Sequence, residues 1–174
     1  MTHTEPPAAT GRHHLGGTRS LGFAVLSVSD THTKDDDPSG QLAQELLRAA
    51  GHTIVHYELV ANSVADSRDC LEPWLRESAV EAAVTVGGTG ASSRDLTVNA
   101  LESMGGRKLE GFGELYRSLS YAEVGALAMI SRASLFVISG KPVFALPGSE
   151  RAVRTAIEKL IAPAVIHLVE ELER

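Results

Sequence analysis

Cysteine is almost missing from this chain. Cys70 is the single one in 174 residues, so no internal disulfide can form and the small disulfide-stapled folds are excluded. Cys70 lies in an apolar-periodic stretch with no histidine or second cysteine beside it, which points to packing rather than to metal binding or nucleophilic catalysis. Positive charge is also short. Against 22 Asp and Glu stand 16 Lys and Arg, a net charge of −6, so nothing in the balance suits a surface that follows a phosphate backbone, and nucleic acid is not an expected partner. Long apolar runs are absent too: none approaches the ~20 residues that cross a bilayer, and the first twenty residues hold no signal-peptide core. The expectation is a soluble protein of the reducing cytoplasm, without a membrane.

What is present is enough for one domain that buries roughly two-thirds of its unfolded surface. Met1 to Ser20 carry almost no large apolar side chains and are expected to form a disordered tail, its His13 and His14 solvated rather than metal-bound. From Leu21 to Arg174 short apolar runs alternate with helical periodicity, the pattern of βα units on a mostly parallel sheet. Strands are expected at Leu21–Val28, Thr53–Val60, Ala82–Val86, Leu135–Ile138 and Val143–Leu146. Ser39 is placed to cap a helix carrying Leu42, Leu46 and Leu47, with Gly51 at its end. A second helix is expected over Asp66–Ser78, with Pro73 near its first turn or kinking it, and a third over Thr97–Met104, capped by Thr97. Gly105–Gly113 looks like a glycine-rich connection, Ser139 to Pro142 like a turn, and Glu150–Leu172 like a long terminal helix that Pro163 bends.

Three loops could carry chemistry. In open α/β sheets ligands collect outside the carboxyl ends of the strands, where strand order reverses and adjacent loops diverge. Ser29-Asp30-Thr31 follows the first strand there, and Gly87-Gly88-Thr89-Gly90 follows the third. Such glycines let backbone N–H groups turn onto an anion while the Thr89 hydroxyl adds a donor; the bland alternative is a plain strand-to-helix turn. The loop has neither the lysine of a phosphate-binding NTPase loop nor GxGxxG spacing. Behind it, Arg94 can pair with a phosphate and Asp95 can hold a divalent cation, or the two can form a solvated ion pair. Pro147-Gly148-Ser149 opens the long helix, where amides and dipole can bind an anion or where Ser149 simply caps. The run Lys34-Asp35-Asp36-Asp37 reads as solvated surface.

Taken in order, SVSDTHTKDDDPSG, VTVGGTGASSRDLTVNAL, GFGELYRSLSYAEVGALAMISRA and VFALPGS resemble the MogA/MoaB family of molybdenum cofactor biosynthesis proteins, over nearly the whole chain after the tail. The resemblance implies a three-layer α/β/α molybdopterin-binding fold, a homotrimer, and the reaction of molybdopterin with Mg-ATP to adenylylated molybdopterin and pyrophosphate. It implies that Gly87, Gly88, Thr89 and Gly90 hold the pterin's terminal phosphate, that Asp95 is the essential acid and places Mg2+, and that Arg94 neutralises charge. Ser29, Asp30, Glu114, Ser131, Arg132, Pro147, Gly148 and Ser149 would line the rest, and a molybdate-inserting enzyme of the same pathway is an implied partner. One position departs: adenylyltransferases of this group carry an acid just after the second strand, where this chain has Asn62 or Ser63, with Asp66 as a nearby substitute. An amide binds magnesium far more weakly than a carboxylate, so a molybdopterin carrier with little catalysis stands beside the enzyme.

Overall fold

The computed structural model describes Arg19 to Arg174. The tail expected over Met1–Ser20, with His13 and His14, therefore lies outside the described residues except at its last two positions. There, Arg19 is held by Glu173 at 2.7 and 2.8 Å and by Glu81.

Six strands form one sheet: β1 (Gly22–Val28), β2 (Thr53–Val60), β3 (Ala82–Val86), β4 (Arg107–Leu109), β5 (Ser134–Ile138) and β6 (Lys141–Leu146). Their spatial order is β2-β1-β3-β6-β5-β4. β2, β1, β3 and β6 run parallel, and β5 alone runs against its two neighbours. The helices are α1 (Pro38–Ala49), α2 (Val64–Arg76), α3 (Thr97–Ser103), α4 (Glu110–Val124), α5 (Glu150–Ala156) and α6 (Ala162–Leu172).

The two-residue period of the strands sorts side chains to opposite faces. Phe23 and Val25 of β1, Val84 and Val86 of β3, and Phe144 and Leu146 of β6 join Leu42 and Leu47 of α1 and Val153 and Val165 of the terminal helices. Ala24, Leu26, Ala83, Val143 and Ala145 pack on the other side against Leu71 and Leu75 of α2 and Val98 and Leu101 of α3. Helices thus cover both faces, giving the three-layer α/β/α arrangement with a mostly parallel sheet. From β1 the chain steps outward to β2 and then returns to β3 on the other side of β1, so strand order reverses between β1 and β3.

Local structure departs from the expectations at definite points. α1 is capped by Asp37, not Ser39: the Asp37 carboxylate accepts from Gly40 N at 3.0 Å, and Pro38 takes the first helical position, where no N–H is needed. α2 starts two residues early, capped by Ser63 through Asp66 N at 3.2 Å. Pro73 sits in its last third on the exposed side, where the freed carbonyl one turn back can meet water, and the helix ends three residues later. Leu96, not Thr97, precedes α3. The glycine-rich connection contains β4, an edge strand that pairs with β5 through Lys108 opposite Phe136. The β5–β6 turn is Ser139-Gly140, both with positive φ (53° and 77°), as a two-residue hairpin turn requires, and Pro142 belongs to β6, one residue before its pairing with β3 begins. The terminal helix runs from Glu150 to Leu172 through a π-helical turn at Ile157–Ile161, where Ala162 N–H reaches Ile157 O. That widened turn takes up the missing donor and ring bulk of Pro163.

Candidate functional site

A cavity of about 650 Å³ opens at the carboxyl ends of β1, β3 and β6, across the point of reversed strand order. Its floor is the glycine loop after β3. Gly87 has φ of 100° and Gly88 of 64°. A Cβ on Gly87 would stand 2.3 Å from Val28 O, and one on Gly88 would stand 2.3 Å from Thr97 Oγ1 and 2.5 Å from Asn62 Oδ1. Backbone angles and space both demand glycine at these two positions. The loop is anchored on each side: Gly87 N donates to Leu146 O at 2.9 Å, while Thr97 donates its hydroxyl to Gly87 O at 2.8 Å and its N–H to Gly88 O at 3.1 Å. Thr97, expected to cap α3, instead fastens the loop. Thr89 is buried and lines the cavity.

Beyond the glycines the chain makes a turn closed by Asp95, whose carboxylate accepts from Ser92 N at 2.9 Å while its own N–H reaches Ser92 O at 3.0 Å. Arg94 is exposed and lines the cavity beside it. From the β1 side come Ser29 and Asp30. Ser29 Oγ accepts from Thr31 N and His32 N at 3.2 and 3.1 Å, folding that loop on itself. Asp30 is held by Asn62, which donates its backbone N–H at 2.8 Å and its side-chain amide at 3.4 Å. The oxygen of that amide, Asn62 Oδ1, is buried without a hydrogen-bond partner among the described residues. From β6 come Pro147 and Gly148, and Ser131 follows the 3-10 turn Gly125–Ile130.

Of the residues singled out in the sequence, Ser29, Asp30, Gly87, Gly88, Thr89, Gly90, Arg94, Asp95, Ser131, Pro147 and Gly148 share this one cavity wall. Glu114, Arg132 and Ser149 do not. Glu114 is exposed on α4. Ser149 caps α5 through Ala152 N at 3.3 Å. Arg132 lies behind the glycine loop, with its guanidinium on the carbonyls of Gly90 (2.8 Å) and Asp95 and on Asn99 Oδ1 (3.0 Å).

Sequence reasoning missed Asp37 and Ser39 as parts of the wall. Asp37 is not solvated surface: it is 4% exposed, and its second oxygen accepts from Tyr57 OH at 2.7 Å. Burial first, and then this hydrogen bond, push the Tyr57 phenol well above its ordinary pKa, so it stays a donor. Ser39 donates its hydroxyl to Gly148 O at 2.7 Å and ties α1 to the third loop. The signal was there in Asp-Pro-Ser-Gly, a cap followed by proline at the first helical position.

No group of three or more His, Cys, Asp or Glu side chains converges to hold a metal among the described residues. Of the three carboxylates in the cavity wall, Asp37 is taken by Gly40 N–H and Tyr57 OH, which leaves Asp30 and Asp95 beside the glycine loop. That set suits magnesium, which keeps waters and binds through one or two carboxylates plus substrate phosphates.

A family model described as "Probable molybdopterin binding domain" matches residues 24–167. The chain is 42% identical over 163 residues to molybdenum cofactor biosynthesis protein B of Bacillus anthracis, covering 93% of this chain and 96% of that one. It is similar to the crystal structure of a molybdenum cofactor biosynthesis protein B, with a TM-score of 0.86 at 39% identity, covering 91% of this chain and 99% of that one. It also resembles the tungsten cofactor synthesizing protein MoaB from Pyrococcus furiosus, with a TM-score of 0.81 at 33% identity, covering 90% and 99% of the two chains.

Proposed function

Because the chain belongs to the molybdopterin-binding domain family of molybdenum cofactor biosynthesis proteins, we propose that it adenylylates molybdopterin with Mg-ATP and releases pyrophosphate. The observation that carries this reading is the single cavity in which the Gly87–Gly90 loop, Arg94, Asp95 and Asp30 meet. Gly87 to Gly90 form the cradle for the terminal phosphate of the pterin: Gly87 N–H stays on Leu146 O and anchors the loop, while the backbone N–H groups of Gly88, Thr89 and Gly90 hold the phosphate and need no reorganisation during reaction. An oxygen of that phosphate attacks the α-phosphorus of ATP, and the bond to the departing pyrophosphate breaks as the new P–O bond forms. Arg94 lies where it can offset the charge gathered by two phosphate groups, and the reaction requires positioning and charge neutralisation rather than a protein nucleophile. Asp95 and Asp30 would hold a magnesium ion, which supplies charge neutralisation on the triphosphate.

Pyrophosphate release on mixing the chain with molybdopterin, Mg2+ and ATP tests the reading. Asp95→Asn should reduce it at least 100-fold with the fold intact; full activity of that variant would refute the role assigned to Asp95.

Asn62 motivates a second reading, a molybdopterin carrier with little catalysis, because an amide stands where the resemblance implies an acid. In either case we take the chain to work as a homotrimer. Leu115, Tyr121, Leu127, Met129 and Ile130 are exposed along α4 and the turn after it, with Met129 at 78% and Leu127 at 68%, an apolar face that contact between copies would cover.

A further inference from the structure

Arg132 is a cation close to the site, and each of the three nitrogens of its guanidinium donates to the protein. Nε donates to Gly90 O at 2.8 Å, one Nη to Asn99 Oδ1 at 3.0 Å and the other to Asp95 O, while its backbone N–H donates to Thr89 O at 2.8 Å. Gly90 and Asp95 are the two ends of the turn that carries Arg94 into the cavity. No other side chain among the described residues donates to either carbonyl. The turn's remaining internal ties are the two bonds between Ser92 and Asp95 and a contact of Arg94 N with Ser92 Oγ at 3.3 Å, all within its own few residues.

We infer that Arg132 is a positioning residue: its planar fork clamps both ends of the Gly90–Asp95 turn and so fixes Arg94 and Asp95 relative to the phosphate-binding glycines. Only a guanidinium has the geometry for this. Lysine offers a point charge without the fork, and glutamine offers two amide donors without charge or reach. A cation placed under carbonyls also withdraws them from the ligand side of the loop, leaving the N–H groups to face an anion. The structural half of this inference stands without any assumed reaction; its kinetic half rests on the adenylylation reading.

The test separates the two halves. Backbone amide exchange in the ligand-free protein should show the Ser92, Asp95 and Thr97 amides exchanging at least tenfold faster in Arg132→Lys and Arg132→Gln, with the β1 and β3 amides unchanged. In pyrophosphate-release kinetics both variants should raise the KM for molybdopterin at least tenfold, more than they lower kcat. Millimolar methylguanidinium should restore part of the loss in Arg132→Ala. Arg94→Gln should weaken binding without loosening those amides. Wild-type exchange of the three amides in both Lys and Gln variants would overturn the clamp. So would a wild-type KM in Arg132→Lys, which would mean that charge alone suffices. If Arg132→Gln opens the sheet amides as well, Arg132→Lys decides by the same two readouts. If no variant or wild-type protein releases pyrophosphate, the adenylylation reading fails while the exchange result still judges the clamp.

Discussion

At the scale of single residues, the floor of the site rests on glycines that leave no room for a side chain. Gly88 has a left-handed backbone and a neighbour 2.3 Å from where a Cβ would sit. Gly88→Ala should cost about 1–3 kcal/mol of stability and weaken phosphate binding, read by chemical denaturation and by calorimetry with molybdopterin; a variant with unchanged stability would contradict the required geometry. Asn62 is the residue at which binding and catalysis part. Its amide donates to Asp30, so Asn62→Asp puts two carboxylates face to face at that contact. If Asn62 serves an active enzyme, this variant gains no pyrophosphate release. A large gain would favour the carrier reading. His52 is a different case, away from the cavity. Its Nδ1 accepts from Leu21 N at 3.3 Å, it packs 5.1 Å from the Phe23 ring, and burial holds its pKa below the ordinary 6.5. The folded state therefore binds fewer protons than the unfolded one below 6.5, so the stability from neutral His52 is complete above that pH and is lost as pH falls toward the lower folded value. Denaturation midpoints should drop between neutral pH and pH 5, and His52→Gln should flatten the slope.

At the scale of elements, strands and their alternation were legible because burial on both faces leaves apolar runs such as Phe23 to Val28 and Ala82 to Val86, each broken by a single small hydroxyl residue, Ser27 and Thr85. Helix starts were less so. Ser39 and Thr97 both look like caps, but their hydroxyls are taken by carbonyls brought in from elsewhere in the fold, Gly148 O and Gly87 O. No local pattern could reveal partners 109 and 10 residues away. β4 was hidden for a related reason: three residues with two exposed side chains carry no periodic signal, and only pairing with β5 makes them a strand. The wall of the cavity shows the same division. The glycine loop and Asp95 are visible as sequence, whereas Asp37 becomes part of the site only because α1 folds back beside β1 and Tyr57 reaches it from β2. Asp37→Ala removes the cap of α1 and strands the Tyr57 hydroxyl, and should cost about 2–4 kcal/mol by denaturant titration. Tyr57→Phe should cost less, since the cap survives. Equal costs would contradict the cap.

At the scale of the whole molecule, the parallel strands place three loops from distant parts of the sequence around one crevice, and the order β2-β1-β3 fixes where that crevice must be. The apolar face along α4 and the following turn extends to Ile130, which itself lines the cavity. If copies assemble through this face in the proposed homotrimer, Leu127→Glu with Met129→Glu should shift the sedimenting species to monomer, and an unchanged sedimentation coefficient would remove that face from the assembly. This crevice is proposed to join a nucleotide to a phosphorylated pterin. The most direct measurement is the mass of the pterin recovered from the protein after incubation with Mg-ATP. Adenylylated molybdopterin, with one pyrophosphate released for each, is the predicted result. Molybdopterin that is bound and recovered unchanged, with no pyrophosphate, would contradict it.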